Sequence, residues 1–225
     1  MIINNASKMS PNVFEYHLKR GYITTEGGHR ISFCGNSIVK DNSVVTVNNL
    51  NTVVIRISKN EMLYNKSIFV NLFNDKSPCN ICVISQPGCG KTTFLRNFVY
   101  YLTHEKNWLN ICVADERCEI FNSNVICNNV SKCFGIPKVL ATELFIKNMS
   151  PHIIVYDELY SEEELGCIKK TNASGVYSVF SVHGKSYENL VESGIELKKI
   201  CNNNLKIVEI SNRKGCGTIE SIRRV

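Results

Sequence analysis

The chain has 225 residues, of which 44% are hydrophobic and 20% are charged, a composition typical of a folded globular protein rather than of a disordered segment. No apolar run approaches the roughly 20 residues that span a bilayer, and the N-terminus lacks the apolar core of a signal peptide, so we expect a cytoplasmic protein without a transmembrane segment. The net charge of +6 is spread over short doublets, which indicates a solvated surface, and no direct nucleic-acid partner is expected.

Cysteine is abundant, with eleven residues scattered along the chain. Several lie inside apolar runs such as NICVISQ and NICVADE, where a reduced thiol behaves as a small hydrophobic side chain. This pattern indicates a reducing compartment rather than a disulfide framework. Cys79 and Cys82 form a single CxxC pair, but without a second pair or nearby histidines it does not predict a zinc site.

The first part of the chain predicts a small β-rich domain over residues 1–66. A short helix is expected around Val13–Arg20, and YITTEGGHRISF has two β-prone runs about a Glu-Gly-Gly turn, which is typical of a hairpin. SVVTV and TVVIRIS alternate apolar with polar residues, so each predicts a strand with one buried face.

A second domain is predicted over residues 67–225, with a short helix over Asn65–Phe73 leading into it. From Cys79 onward, short runs rich in valine and isoleucine (ICVIS, NICVA, HIIVYD, VYSVFSV) alternate with helical patterns (FLRNFVYYL, PKVLATELFIKNM, SEEELGCIKKT). Apolar strands separated by helices favour an α/β fold, with a parallel sheet covered by helices on both faces. Such a sheet carries its chemistry at the carboxyl ends of its strands.

The stretch VISQPGCGKTT joins the first of these strands to a helix and matches the phosphate-loop pattern G-x-x-x-x-G-K-[ST], with Ser85 in place of the first glycine. Glycines let successive backbone N–H groups point inward, and the helix N-terminus adds positive potential. Lys91 is expected to reach the β- and γ-phosphates of ATP, and the Thr92 hydroxyl to bind Mg²⁺. Because the first position mainly closes the turn, serine should be tolerated there. The predicted nucleotide-binding residues are Ser85, Gln86, Pro87, Gly88, Cys89, Gly90, Lys91, Thr92 and Thr93.

The segment HIIVYDE ends an apolar strand in two carboxylates. Asp157 at this position can hold Mg²⁺, directly or through water, which is the partner that a phosphate loop needs for catalysis. Glu158 could accept a proton from the attacking water. An alternative interpretation makes the pair the N-cap and first turn of the next helix, where acidic residues are favoured.

Polar residues follow two further strands. NICVADER places Asp115, Glu116 and Arg117 after the strand that follows the phosphate-loop helix, and SVFSVHG ends in His183 and a glycine. A lone histidine is commonly a structural hydrogen-bonding residue, but this one ends the strand after the carboxylate pair, which favours a sensor of the γ-phosphate. Glu116 competes with Glu158 for the role of general base, and the sequence leaves that choice open.

Six segments occur in one order along the chain: GYITTEGGHRISFCG, ISQPGCGKTTFLRN, VADERCEI, MSPHIIVYDE, SVHG and RKGCGTIESI. In that order they resemble the stage III sporulation protein AA family, ATPases related to the motors of type II and type IV secretion systems. The resemblance covers nearly the whole chain from about Phe14. It implies a RecA-like ATPase core behind a small N-terminal domain, with ATP and Mg²⁺ as cofactors.

The resemblance also implies an assembly and a place of action. A homo-oligomeric ring, a hexamer, is expected at the cytoplasmic face of the membrane in the mother cell of an endospore-forming bacterium. Other stage III sporulation proteins of the channel to the forespore would recruit it there. In the family, Lys91 and Thr92 match the phosphate-loop residues, Asp157 and Glu158 the second acidic motif, and His183 the histidine near the last catalytic strand.

The chain departs from the family pattern in three places. The domain before the GGHR hairpin is expected to be shortened. The segment between Glu119 and Lys138 lacks the arginine of a family Arg-Thr-Asp motif, and Lys147 stands where arginine is usual. Lysine cannot donate two parallel hydrogen bonds to a phosphate as arginine does, so slow hydrolysis is expected. If a neighbouring subunit supplies an arginine, the candidates are Arg30, Arg56, Arg96, Arg117 and Arg213.

These features support two hypotheses and a weaker third. The first is a Mg²⁺-dependent ATPase motor that powers or assembles a mother-cell to forespore channel or secretion apparatus. The second is a hydrolysis-deficient nucleotide-binding scaffold subunit of the same assembly, motivated by the missing arginines. A nucleoside kinase would need an arginine-rich lid, and no such segment follows the acidic strand.

Overall fold

The computed structural model describes residues 19–25, 29–41, 43–57, 66–72, 79–120, 129–202 and 204–225. Two compact units make up the chain, the first from residues 1–60 with 122–124 and the second from residues 61–121 with 125–225. The domain boundary predicted at residue 66 stays a prediction, because residues 58–65 lie outside the described residues.

The first unit contains a three-stranded antiparallel sheet of β1 (Tyr22–Thr24), β2 (Arg30–Lys40) and β3 (Ser43–Arg56), in that order. The first two strands pair from Tyr22↔Ser32 to Thr24↔Arg30, which confirms the predicted hairpin, although its Glu-Gly-Gly turn lies outside the described residues. Most of the helix predicted around Val13–Arg20 also lies outside them, and its last two residues are helical.

The prediction of two separate strands in the SVVTV to TVVIRIS region was wrong, because β3 runs through both without a break. Cys34 pairs with Thr52 and Asn36 pairs with Asn48, so β3 carries two more residues than β2 between these points. Asn49 adopts φ +48° within this irregularity. The asparagine-rich segment that suggested a turn therefore forms a bulge, since asparagine tolerates the left-handed conformation.

The buried face predicted for TVVIRIS was also wrong. Consecutive residues of a strand face opposite sides of its sheet. Val53, Val54 and Ile55 are 49%, 59% and 58% exposed, so neither face of this part of β3 is covered by the described residues. The alternating pattern gives the period of a strand but not the presence of a partner to bury it.

The second unit is an α/β fold whose elements alternate as the sequence predicted. Its strands are β4 (Asn80–Ser85), β5 (Ile111–Asp115), β6 (Val130–Phe134), β7 (Ile153–Leu159), β8 (Tyr177–His183), β9 (Leu205–Ser211) and β10 (Thr218–Arg224). Its helices are α1 (Lys66–Leu72), α2 (Lys91–Glu105), α3 (Lys138–Asn148), α4 (Glu162–Ala173), α5 (Tyr187–Glu192) and α6 (Leu197–Ile200).

The seven strands form one sheet in the order β10-β9-β4-β8-β7-β5-β6. Every neighbouring pair is parallel except β9 and β10, which form an antiparallel hairpin at one edge. The phosphate-loop strand β4 is central, with β8 and then β7 on one side and β9 and β10 on the other. This order places the carboxyl ends of β4, β8 and β7 in one row.

Each face of the sheet has its own apolar core, so the predicted coverage on both faces is confirmed. Ile81 and Val83 face a core shared with Phe98 of α2, while Cys82 and Ile84 face the opposite core, shared with α3 and α4. This alternation within a completely buried strand explains why ICVIS is apolar throughout.

The sequence interpretation left out several elements of this unit. Strand β6 and the hairpin of β9 and β10 were not predicted, and neither were the short helices α5 and α6. The sheet is therefore mainly, not wholly, parallel. Within the part of the chain that the structure describes, no helix is long and apolar enough to cross a membrane.

Candidate nucleotide site

The glycine-rich loop lies between β4 and α2, as the sequence predicted. Gly88 has φ +75° and Gly90 has φ +100°, values that residues other than glycine rarely adopt. A Cβ on Gly90 would lie 3.1 Å from the backbone nitrogen of Gly217 and 3.2 Å from the Cys216 sulfur. The loop therefore needs glycine here both for its curvature and for the close approach of the β9–β10 turn.

That turn holds the outer side of the loop through the loop carbonyls. The Gly217 N–H donates to the Cys89 carbonyl at 2.9 Å, and the Cys216 thiol lies 3.4 Å from the Gly88 carbonyl. In a trans peptide the carbonyl and the following N–H point in opposite directions. The N–H groups of Cys89 and Gly90 consequently point away from the hairpin, which is the arrangement of an anion-binding nest.

Lys91 opens α2 with its ammonium folded into the loop, and the residue is 7% exposed. Its Nζ donates to the carbonyls of Ser85 at 3.1 Å and Gln86 at 3.3 Å. It also lies 2.8 Å from His183 Nδ1 and 3.5 Å from Glu158 Oε1. Burial lowers the pKa of the Lys91 ammonium, and the neighbouring carboxylate of Glu158 opposes that shift.

His183 and Glu158 reach Lys91 from the next two strands. Because an ammonium group can only donate hydrogen bonds, His183 Nδ1 accepts one from Lys91. A neutral imidazole then carries its proton on Nε2. That nitrogen contacts Glu158 Oε1, which also lies 3.5 Å from Lys91 Nζ, so the three side chains form a short row in which each lies near the other two. The Tyr160 hydroxyl donates to the other oxygen of Glu158 at 2.7 Å.

Asp157 and Asp115 lie on the neighbouring strands β7 and β5, and their roles differ. Asp115 is completely buried and accepts the N–H groups of Glu119 at 2.9 Å and Ile120 at 2.8 Å, so it holds the loop after β5. Asp157 is 3% exposed. Burial, together with the nearby carboxylates of Asp115 and Glu119, raises the pKa of Asp157 to about 7.

The N-cap interpretation of Asp157 and Glu158 was wrong. Both residues belong to β7, whose pairing with β8 is irregular between Val155 and Glu158. Helix α4 begins later and is capped by Ser161, whose hydroxyl accepts the Glu164 N–H at 3.2 Å. The carboxylate pair is therefore placed by the strand, with one side chain buried and the other directed to Lys91.

The structure does not bring Glu116 into the row with Lys91. Its carboxylate lies 3.3 Å from Lys138 Nζ, which is itself buried and also pairs with Glu164 at 2.9 Å. Sequence reasoning missed Lys138, because a single lysine at the start of a helix is usually solvated. Its position between Glu116, in the segment after β5, and Glu164, in the first turn of α4, was not visible without the fold.

Arg117, one of the candidate arginines in the second unit, lies beside Glu158. Its Nη1 is 4.0 Å from Glu158 Oε2, and its guanidinium lies 5.1 Å from the centre of the Tyr160 ring. Arg96 donates to the Glu119 carbonyl, and Arg213 forms a two-pronged pair with Glu220.

The remaining predicted residues have simpler surroundings. Arg30, in the first unit, stacks on Tyr22 at 3.8 Å from the ring centre, and Arg56 ends β3. Lys147 is exposed in the last turn of α3, and Thr92 is partly exposed in the first turn of α2.

The cysteine pair does not form a disulfide or a metal site. Cys79 and Cys82 are both buried free thiols, and burial raises the pKa of Cys82. Among the described residues, no group of three or more His, Cys, Asp or Glu side chains is arranged to hold a metal ion. These thiols fill the two cores, as the sequence predicted.

The loop, its buried lysine and the central position of β4 in a mainly parallel sheet define the class of protein, a P-loop NTPase fold with a RecA-like core. Within that class the chain belongs to the sporulation stage III, protein AA family, whose model matches residues 2–224. Stage III sporulation protein AA of Bacillus subtilis (strain 168) is 28% identical to it over 233 residues, covering 99% of this chain and 75% of that protein.

Solved structures share the fold at low sequence identity. The ATPase DotB of Legionella pneumophila has a TM-score of 0.57 at 11% identity, over 80% of this chain and 52% of that one. The VirB11 ATPase of the Brucella suis type IV secretion system has a TM-score of 0.51 at 15% identity, over 92% and 74%. The pilus retraction motor PilT has a TM-score of 0.57 at 13% identity, over 80% and 54%. The chain spans about half the length of the DotB and PilT chains.

Proposed function

We propose that this protein binds ATP with Mg²⁺ at the glycine-rich loop and hydrolyses it. The observation that carries the proposal is the row of Lys91, His183 and Glu158, which the start of α2 and the strands β8 and β7 bring to one end of the phosphate loop. A lysine that only stabilised a turn would not need a histidine and a glutamate from two other strands beside it. Among the structures with this fold, that of PilT contains bound ADP and that of VirB11 contains sulphate.

Binding of a nucleotide exchanges contacts that Lys91 already makes. Its ammonium is held by two loop carbonyls, and a phosphate oxygen carries a full charge that carbonyls lack. The attraction between two full charges exceeds that between an ammonium and a carbonyl dipole, so the ammonium favours the phosphate when one is present. The N–H groups of Cys89 and Gly90 supply further donors on the same side of the loop.

The chain's own residues fit a magnesium ion. Thr92 provides a hydroxyl and Asp157 a carboxylate, and these are the hard oxygen ligands that Mg²⁺ prefers. Asp157 is buried next to two other carboxylates, so an added cation relieves a repulsion that the fold already contains. When bound, Mg²⁺ neutralises charge that develops on the phosphate oxygens.

Glu158 is the stronger candidate for the general base. It lies in the row with Lys91, whereas Glu116 is paired with Lys138 away from it. His183 contacts both Lys91 and Glu158. These contacts support a sensing role, because a γ-phosphate bound by Lys91 would change them. We assign Glu158 the acceptance of a proton from water and His183 the sensing role.

The test is ATP turnover with and without Mg²⁺, measured for the parent, Lys91→Ala and Lys170→Ala. The second variant is a matched control, because Lys170 is an exposed lysine on α4 that pairs with Glu143. The proposal expects Mg²⁺-dependent turnover in the parent and the control, and loss of turnover in Lys91→Ala. Equal background rates in all three proteins would contradict hydrolysis.

One observation favours a second candidate, a scaffold subunit that binds ATP without hydrolysing it. One oxygen of Glu158 accepts the Tyr160 hydroxyl and lies 4.0 Å from Arg117, while the other is buried beside Lys91 and His183, so that buried oxygen is not open to a water molecule. If this arrangement persists with ATP bound, the protein is stabilised by the nucleotide without turnover. Thermal melting with ATP and Mg²⁺, run beside the turnover assay, separates the two candidates, because a ligand that binds only the folded state raises the melting temperature.

The assembly and the biological role also belong to this proposal. We propose a homo-oligomeric ring, a hexamer, that serves a channel or secretion apparatus between mother cell and forespore together with other stage III sporulation proteins. Membership of the sporulation family and the fold shared with secretion ATPases support it. The mass of the particle in solution with and without ATP tests the ring, and a particle that stays monomeric at every nucleotide concentration contradicts it.

A further inference from the structure

A cavity of about 360 Å³ adjoins the phosphate loop, within the second unit. Gly90 and Thr93 of the loop and helix start line it, together with the rings of Phe69 and Phe94. Its volume lies within the range of about 300–1,000 Å³ that small-molecule sites occupy. None of the residues in the row of Lys91, His183 and Glu158 lines it.

The sheet order places this cavity on the opposite side of β4 from the catalytic candidates. His183 and Glu158 come from β8 and β7, on one side of β4, whereas the cavity is lined by Ile219 of β10, beyond β9 on the other side. The lysine of a phosphate loop marks the position of the β- and γ-phosphates. The α-phosphate and the nucleoside must then extend the other way, toward the side of β9 and β10.

Asn97 adds an independent reason to place a ligand in the cavity. It lines the cavity one helical turn after Thr93, is 2% exposed, and its Oδ1 has no hydrogen-bond partner among the described residues. A buried acceptor without a partner costs about 1–3 kcal/mol. The missing partner must be a donor, since an amide oxygen can only accept.

The walls of the cavity suit a flat aromatic ring. Phe69 and Phe94 are both almost fully buried and meet edge to face, with ring centres 5.3 Å apart. Ile219 of β10 contributes an aliphatic surface to the cavity. An apolar slot with one unsatisfied acceptor matches a nucleobase that carries an N–H donor on its edge.

We propose that this cavity receives the adenine base of the nucleotide and that Asn97 Oδ1 accepts a hydrogen bond from the 6-amino group. The inference rests on the proposed function, because it takes the phosphates to lie in the loop. It assigns Asn97 a role in choosing the base: adenine offers an amino donor at position 6, while guanine offers a carbonyl there, which is a second acceptor.

The experiment compares three ligands that share their phosphates: ATP, purine riboside triphosphate, which lacks only the 6-amino group, and inorganic tripolyphosphate. Binding is measured by calorimetry with Mg²⁺ for the parent and Asn97→Leu. The parent should bind ATP about 2- to 10-fold more tightly than the analogue, the range expected for one net hydrogen bond. Asn97→Leu should bind ATP and purine riboside triphosphate with equal affinity, and its affinity for tripolyphosphate should equal that of the parent.

A second pair of variants covers the case in which Asn97→Leu fails to fold. Ile219→Trp fills the cavity from a partly exposed position on β10, and Ile222→Trp is its control, on the same strand but outside the cavity. The first should weaken ATP about 10-fold or more without affecting tripolyphosphate. The second should change neither.

The outcomes separate this inference from the proposed function. If the parent binds tripolyphosphate through Lys91 but binds ATP no more tightly than the analogue, the base site is overturned and the phosphate site stands. If 2′-deoxy-ATP, rather than the analogue, loses affinity in an Asn97-dependent way, the donor is the ribose and the base assignment is overturned. If none of the ligands binds the parent, both fail.

Discussion

Replacing Asp157 by asparagine should stabilise the metal-free protein, although the residue is a candidate ligand for Mg²⁺. The substitution keeps the size of the side chain and removes a charge that the fold disfavours. Burial and neighbouring carboxylates raise the pKa of Asp157 from 3.8 to about 7. At 1.36 kcal/mol for each pKa unit, the ionised form lowers the free energy of unfolding by about 4 kcal/mol once the pH exceeds the folded pKa.

The sign of the pH dependence follows from the direction of this shift. Because the pKa of Asp157 is higher in the folded than in the unfolded state, the folded protein binds more protons between the two values. The free energy of unfolding of the parent therefore falls as the pH rises through this window. Asp157→Asn lacks that loss, so its advantage over the parent should grow by about 3 kcal/mol between about pH 5 and about pH 8.

Urea unfolding in the presence of a chelator measures this difference. Trp108 is the only tryptophan of the chain and belongs to the second unit, so its fluorescence reports on the unit that contains the site. Asp115→Asn is the matched control, made on the neighbouring strand. Both oxygens of Asp115 accept backbone N–H groups, and this variant should lose about 1–3 kcal/mol.

Opposite signs for the same substitution on adjacent strands are the distinguishing result. A destabilised Asp157→Asn, or an advantage that does not change with pH, would refute the reasoning that burial of an uncompensated charge dominates at Asp157. Added Mg²⁺ should stabilise the parent and leave Asp157→Asn unaffected.

Three further predictions test separate parts of the site. Glu158→Gln should bind ATP but lose about 100-fold or more of its turnover, as measured by phosphate release, and near-normal turnover would exclude Glu158 as the base. Gly90→Ala should lower the free energy of unfolding by about 1–3 kcal/mol, because φ is +100° and a Cβ would meet the β9–β10 turn at 3.1 Å; an unchanged melting temperature would contradict this. Tyr156→Phe removes a buried hydroxyl between Thr142 and Thr171, so urea unfolding should show a loss of about 1–2 kcal/mol while ATP affinity stays constant.

The parts of the fold that the sequence predicted are those with a strong local signal. The runs ICVIS and IIVY are almost continuously apolar because both sides of their strands are buried, and their shortness and β-branched residues favour a strand over a buried helix. Strand β6, with the sequence VSKCF, is partly exposed at the edge of the sheet and has little apolar character. The hairpin of β9 and β10 was not predicted, although LKIVEIS has the residue types of a strand.

The residues of the candidate site also differ in how strong a local sequence signal they have. The loop residues were predictable since their chemistry depends on their order in the chain. The sequence could not favour Glu116 or Glu158 as the candidate base, because the argument depends on which lysine lies beside each glutamate. Lys138 pairs with Glu116, and Lys91 lies near Glu158. Asn97 gave no signal in the sequence, because its proposed role comes from a missing hydrogen bond in a cavity that two helices, one strand and the adjoining loops form.

The contacts of Lys91 connect the binding of a nucleotide to the state of Glu158. In the structure the ammonium is shared between the loop carbonyls, His183 and the region of Glu158, so part of its charge compensates that carboxylate. Under the proposed function, a phosphate that takes Lys91 as its partner replaces the contact between Lys91 and Glu158 Oε1. The exchange that admits the γ-phosphate would then free this oxygen to accept a proton from a water molecule next to the phosphate.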